Sequence, residues 1–370
     1  MRPGRFPGRL LIFAALLCRL PWQWLRRKPR QASVERVLIL HQFLLGDALM
    51  ATSLLAKARE RFPQAEIVLA CPPGQASLYV GRPYGIQPLP WHPRDFASLR
   101  RLFAEPRFDI AYLMGENRLS FLARAIGVRW IVGFAGEVPR YKNWLVDEAV
   151  PYPDEPEAWS DTAAGLIDGP APRPFHFQDW PLTEAPPALP TRYVVLHVGA
   201  SSATRFWPTG HWWKVAEAIR SDGAVVVWSC GPGEQGLLDE VAPQPGDLTM
   251  AGSLSLPQLR AVLAGALACV CPDTGIAHLA KVADCPLIML FGPGSETLFG
   301  ASRFFAGHVC IGVGPKLFPC RNQRSVHYRE VDWALRCFRM AGAGKGQCCS
   351  PQCMAAVEAA EVIKNLEGLL

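Results

Sequence analysis

The chain has 370 residues, beyond the size at which one hydrophobic core usually stops growing, so two domains of roughly 150 residues each are expected. Hydrophobic residues make up 50% and charged residues 19%, which excludes disordered, collagen-like, mucin-like and coiled-coil classes. The net charge is +6, yet residues 1–34 alone hold eight basic residues (Arg2, Arg5, Arg9, Arg19, Arg26, Arg27, Lys28, Arg30) and no acid. The rest is slightly acidic, which excludes a body that tracks nucleic-acid phosphates.

Within those first 34 residues, Leu10 to Cys18 is an unbroken apolar run of nine, too short to span a bilayer as a helix. Together with Trp22, Trp24 and the flanking Arg and Lys it has the composition of a segment lying in the headgroup layer of an anionic membrane. A signal peptide is the competing reading, but Arg19-Leu20-Pro21-Trp22 follows the run where small residues would be needed for cleavage.

From Val37 onward, short β-rich apolar runs alternate with helical patterns: 37–40, 66–70, 108–114 and 128–134. This alternation predicts parallel strands with crossover helices over residues 35–165. A Pro-rich stretch, residues 166–192 with its flank from Val150, reads as linker and irregular structure. A second βα series covers 193–315, and a Cys-rich tail with a closing amphipathic helix from Met354 covers 316–370. The expected architecture is therefore two Rossmann-like α/β domains facing each other across a cleft.

The chemistry-bearing residues fall where strands run into helices. Gly46-Asp47 follows the first strand, where open α/β sheets bind ligands. Asp47 reads either as a helix N-cap or as a carboxylate general base facing the cleft. In the second half, His197-Val-Gly-Ala-Ser201-Ser202-Ala-Thr-Arg205 offers hydroxyls, backbone N–H groups and a guanidinium suited to phosphate. Gly231-Pro-Gly233-Glu234-Gln-Gly236 has the spacing of a dinucleotide fingerprint, but Pro232 and the lack of an acid after the next strand argue against a nicotinamide-dependent dehydrogenase. Glu234 is instead a candidate acceptor for a nucleoside's ribose or base. Cys271-Pro-Asp273-Thr274-Gly275-Ile-Ala-His278 reads as a phosphate cradle at a helix N-terminus, with His278 one turn on from Thr274.

These residues, followed by Pro286-Leu-Ile-Met-Leu-Phe-Gly-Pro293, resemble glycosyltransferase family 9, the ADP-heptose:lipopolysaccharide heptosyltransferases, over residues 36 to about 310. The resemblance implies a GT-B fold and inverting, metal-independent transfer of heptose from ADP-heptose to a lipopolysaccharide core or related acceptor, by an enzyme peripheral to the cytoplasmic face of a Gram-negative inner membrane. It implies that Asp47 is the general base, that Glu234 meets the nucleoside, and that Asp273, Thr274, Gly275 and His278 form the diphosphate and sugar site. Arg205 stands where many members have Lys, and Ser53 where they commonly have Pro. Metal independence also follows from the residues, because no Asp-x-Asp pair occurs anywhere in the chain.

The tail contains Cys320, Cys337, Cys348, Cys349 and Cys353. The Cys349-x-x-x-Cys353 spacing, with Cys320 and Cys337, is compatible with a structural zinc or iron site of four sulfurs. Two other functions stand beside the leading one: a protein O-heptosyltransferase acting on an adhesin, and a non-catalytic subunit that binds a nucleotide sugar.

Overall fold

A computed structural model describes residues 6–25 and 33–370. Arg2, Arg5, Arg26, Arg27, Lys28 and Arg30 of the basic segment lie outside the described residues. The chain opens with helix α1 (Phe6–Leu25). The first sheet then takes β1 (Arg36–Leu40), α2 (Leu45–Met50), α3 (Thr52–Arg61), β2 (Glu66–Cys71), α4 (Pro73–Ala76) and β3 (Ile86–Pro90). It continues through α5 (Phe96–Ala104), β4 (Ile110–Leu113), α6 (Ser120–Ala125), β5 (Trp130–Phe134) and β6 (Glu148–Val150), with α7 (Trp159–Ala164) after it.

The second half runs β7 (Tyr193–His197), α8 (Thr209–Ser221), β8 (Val225–Cys230), α9 (Gln235–Val241), β9 (Leu248–Ala251) and α10 (Leu256–Ala264). Then follow β10 (Ala268–Pro272), α11 (Gly275–Val282), β11 (Leu287–Leu290), α12 (Glu296–Phe299) and β12 (Cys310–Val313). A hairpin of β13 (Gln323–Val326) and β14 (Arg329–Arg336) precedes α13 (Gln352–Ala355) and α14 (Ala359–Glu367). The closing helix is thus broken between Ala355 and Ala359 rather than continuous from Met354.

Each half is a six-stranded parallel sheet, ordered β3-β2-β1-β4-β5-β6 and β12-β11-β10-β7-β8-β9. Counted within each half, both follow the same doubly wound path, in which the chain reverses direction between its first and fourth strands. Val37 pairs with Ile67 on one side and Ile110 on the other, and Val270 with Leu196 and Ile288. That reversal opens a crevice beyond the carboxyl ends of β1 and β4 in one domain and of β7 and β10 in the other. The loops of Asp47, Arg205 and Asp273 are therefore placed by topology, and that of Glu234 follows the neighbouring strand β8.

Strand periodicity sorts the core. Val37 and Ile39 face the interior that the two domains share, whereas Leu38 and Leu40 face the layer covered by α5 and α6. The Pro-rich stretch is more than a linker, because Trp159 and Trp180 within it are wholly buried. The Trp180 indole donates to Leu78 O, and Arg260 of α10 donates to Trp180 O and Pro181 O. This irregular segment bridges both domains.

Helix α1 packs its Leu16 face against the first domain, with Leu11 and Ile12 against the core there and Arg19 donating to Ala125 O at 2.9 Å. Leu10, Phe13 and Leu17 point the other way, at 60%, 59% and 77% exposure. Among the described residues no helix is long and apolar enough to cross a membrane.

Candidate functional site in the interdomain cleft

Asp47 lies within the first turn of α2, not at its cap. The N-cap is Leu44, and no side chain caps the helix. That leaves the carboxylate free to face the cleft, its side chain 27% exposed, while the Trp159 indole holds the Asp47 carbonyl at 3.1 Å. From the other domain, α11 abuts the same turn: a methyl group at Gly46 would come within 2.8 Å of the His278 ring, and one at Gly275 within 3.0 Å of Leu45 Cβ. Only glycine lets the two helix starts approach this closely.

On the donor side, the loops after β7 and β10 converge. Arg205 donates to Asp273 O, and its other terminal nitrogen stands 3.9 Å from the Asp273 carboxylate. His278 Nε2 is 3.8 Å from the same carboxylate. Asp273 Oδ2, Thr274 Oγ1 and His278 Nδ1 are buried and find no hydrogen-bond partner among the described residues. Buried polar atoms are almost always satisfied, so three such atoms in one crevice make it a candidate ligand site. Ser202 bonds Thr204 (2.9 Å between hydroxyls) and shapes the loop, while Ser201 is exposed. The Glu234 carboxylate accepts from Gly231 N at 2.7 Å and Ala200 N at 3.2 Å, fixed across β7 and β8 against Gly199. A carboxylate has further lone pairs to offer.

Electrostatics fit the division of labour. Burial pushes the Asp47 carboxyl up, but the His327 contact and the charges of His327, Arg336 and His278 together outweigh it and hold Asp47 below the usual carboxylate range. Asp273 is likewise held low, against burial, by Arg205, His278 and Lys281. His278 is pushed down by burial, against the pull of Asp273.

Two residues here were missed by motif reading, and both come from the hairpin. His327, in its turn, lies 3.6 Å from Asp47 Oδ1. Arg336, at its end, is pushed down by burial to about 10, with opposing pulls from Asp47 and Asp273, and so stays charged at neutral pH beside both carboxylates. Its Nε is buried and makes no hydrogen bond among the described residues.

The tail cysteines are less closed than their spacing implied. Cys349 is exposed, whereas Cys348 joins Cys320 and Cys337 close enough to Cys353 for their charges to raise that thiol further than burial alone does. Among the described residues, no three candidate ligands are gathered tightly enough to hold a metal ion. The set Cys320, Cys337, Cys349, Cys353 does not fit a preformed centre.

The comparisons with known proteins agree with this architecture. Lipopolysaccharide heptosyltransferase 1 of Pseudomonas aeruginosa is 24% identical over 362 residues, covering 90% of this chain and 98% of that protein. The solved structure of E. coli heptosyltransferase WaaC with ADP has a TM-score of 0.67 at 16% identity, covering 90% of this chain and all of that one. The dodecameric iron-containing heptosyltransferase TibC in complex with ADP-D-β-D-heptose gives 0.58 at 14%, covering 92% and 77%. A GT-B fold of two Rossmann-like domains is thereby established. The model for glycosyltransferase family 9 (heptosyltransferase) matches residues 96–324, well over half of the chain, and so this protein is a glycosyltransferase belonging to family 9.

Proposed function

We propose that this chain transfers heptose from ADP-heptose to a hydroxyl of a lipopolysaccharide core, with inversion and without a divalent cation, Asp47 serving as general base. The observation that carries the reading is the meeting of two half-sites: Asp47 on one domain, and the unsatisfied Asp273, Thr274 and His278 with Arg205 on the other, joined at Gly46. The Pseudomonas aeruginosa relative, matched over nearly its whole length, bears the name of a lipopolysaccharide heptosyltransferase, which favours that acceptor.

An acceptor hydroxyl has a pKa far above 7, so its proton must pass to a carboxylate as its oxygen bonds the anomeric carbon. The bond from that carbon to the β-phosphate oxygen breaks on the opposite face, and its electron pair leaves with ADP. Arg205, Arg336 and the N–H groups opening α11 meet the charge that develops there. Because cationic side chains and helix N–H groups supply this neutralisation and the sequence has no Asp-x-Asp pair, a bridging cation is not required. Glu234, with Ser201 and Ser202 nearby, serves the nucleoside end. Thr274 and Gly275 cradle the diphosphate, and Asp273 with His278 faces the sugar.

Incubating the purified chain with radiolabelled ADP-heptose and truncated core lipids tests the proposal, with Asp47→Asn as the control. Transfer to a core lipid that is lost in the variant, while ADP binding persists, is the expected result. ADP binding without any turnover would instead indicate a non-catalytic nucleotide-sugar-binding subunit. Candidate adhesins belong in the same panel, since labelling of protein alone would indicate a protein O-heptosyltransferase. Elemental analysis of the same preparation decides whether the tail carries structural zinc or iron.

The exposed stripe Leu10, Phe13, Leu17 beside the basic segment supports a peripheral place on an anionic membrane surface, the cytoplasmic face of the inner membrane in this reading.

A further inference from the structure

The hairpin of β13 and β14 belongs by sequence to the far side of the second sheet, yet its turn docks on the first domain. Arg329, 2% exposed, donates to Gly115 O at 2.7 Å, Phe134 O at 3.0 Å and Ala135 O at 2.8 Å, and its guanidinium is 3.6 Å from Glu137. Glu137 is shared with Lys142 at 3.0 Å. The Val138 N–H donates to Tyr328 O at 3.0 Å, and the Trp333 indole donates to Pro153 O at 3.1 Å. At the other end, the Cys337 N–H returns to Pro293 O in the second domain.

All this fastening holds one ring in place. His327 and Tyr328 both adopt left-handed backbone (φ 46° and 63°), unusual for two consecutive residues with side chains. The turn they make inserts the His327 ring between Phe43, stacked at 4.8 Å, and Trp159 at 4.3 Å. Nδ1 is buried without a hydrogen-bond partner among the described residues, and Nε2 points at Asp47 from 3.6 Å. That separation is ion-pair distance, slightly longer than a formed hydrogen bond.

We infer that His327 is a positioning residue for Asp47: the hairpin carries it across the cleft to orient the carboxylate toward the acceptor hydroxyl. The inference rests on the reading of Asp47 as the base. Asp47 is also faced by His278 of α11 and by Arg336 of β14, with His41 at the end of β1 and Tyr152 within electrostatic reach. His327 is the one whose ring nitrogen is aimed at the carboxylate from the first domain's own side of the cleft.

The test compares His327→Asn, His327→Gln and Asp47→Asn, singly and combined, in the full chain. Asn tolerates left-handed backbone but ends one bond short of Nε2, whereas Gln reaches as far as Nε2 and can donate an N–H. The Asn variant is expected to lose up to about 100-fold in kcat, with KM for ADP-heptose and the affinity for ADP unchanged. The acidic limb of its pH profile moves to higher pH, because burial is then less opposed. The Gln variant recovers most of kcat. In an Asp47→Asn background the His327→Asn substitution costs nothing further, since it acts through a group already disabled.

A wild-type kcat and acidic limb in the Asn variant would overturn the inference while leaving Asp47 as base intact. So would equal losses in the Asn and Gln variants that persist in the Asp47→Asn background, the pattern of a purely structural turn. Full turnover by Asp47→Asn alone would remove the reading beneath it instead.

Discussion

Gly46→Ala adds one methyl group at the contact between the domains, and its effect can be worked from distances. The new Cβ would lie 2.8 Å from His278 Cδ2, and ordinary van der Waals contact begins near 3.4 Å, so about 0.6 Å must be found. His278 cannot easily yield it, being 2% exposed and packed near Phe299. Overpacking of this kind costs about 1–3 kcal/mol. Alanine in a helical turn returns roughly 0.5–1 kcal/mol relative to glycine, so the net loss is small and the melting temperature should drop only a few degrees. Catalysis is more exposed than stability. A misplacement of 1 Å can cost about 100-fold, which scales to about tenfold here, because the base and the donor site are pushed apart along the line that joins them. The assay is single-turnover transfer from radiolabelled ADP-heptose, alongside calorimetric titration with ADP, whose affinity should fall much less than kcat because the methyl clashes with the His278 ring and meets Gly275 Cα at an ordinary contact distance of 3.5 Å. Wild-type kcat in a well-folded Gly46→Ala protein would refute the claim that these two helix starts set the catalytic distance.

Asp47→Asn should cut turnover by at least about 100-fold, the lower bound for a general base, and leave ADP binding intact by calorimetry. Arg205→Ala should weaken ADP by about 1.5–3 kcal/mol, as expected for hydrogen bonds to a charged group, and unchanged affinity would place Arg205 outside the diphosphate site. Burial pushes His41 down to about 3 and His197 to about 4, so the folded chain leaves them neutral while the unfolded chain protonates them below about pH 6.5. Stability should therefore fall on acidification from pH 6.5 toward 4, by up to about 1.4 kcal/mol per pH unit for each, and a flat denaturation profile over that window would contradict their burial as neutral rings. Replacing Leu10, Phe13 and Leu17 together by Ser should reduce cosedimentation with phosphatidylglycerol vesicles and leave transfer to a detergent-dispersed acceptor unchanged, whereas equal vesicle binding would locate the membrane contact elsewhere.

Much of this site was readable from the sequence because its first parts are local. A strand end, a small-residue turn and a helix start lie within ten residues of one another, so Asp47, Arg205, Asp273, Thr274 and His278 announce themselves by pattern, and the doubly wound order does the rest of the assembly. His327 and Arg336 could not be found this way. They reach the site from 280 or more positions after Asp47, on a hairpin that follows neither parallel sheet's βα pattern. In β14 the fully buried position that should look hydrophobic is Arg329, satisfied by carbonyl oxygens that only the folded first domain supplies. The Pro-rich stretch misled for a related reason, since proline frequency reports on backbone freedom and says nothing about the two tryptophans that anchor it.

The hairpin also has a consequence for biosynthesis. A chain emerging from the ribosome completes the strands of its first sheet by Val150 and of its second by Val313, while Val357, Val362 and Leu366 have still to join the second domain's core. Until residue 336 is out, however, Asp47 has neither His327 nor Arg336 beside it, and the carbonyls of Gly115, Phe134 and Ala135 have no guanidinium to receive. Chains terminated before the hairpin would lack part of the second domain's core as well as both residues beside Asp47, so on the proposed reading competence to react arrives only with the last tenth of the polypeptide.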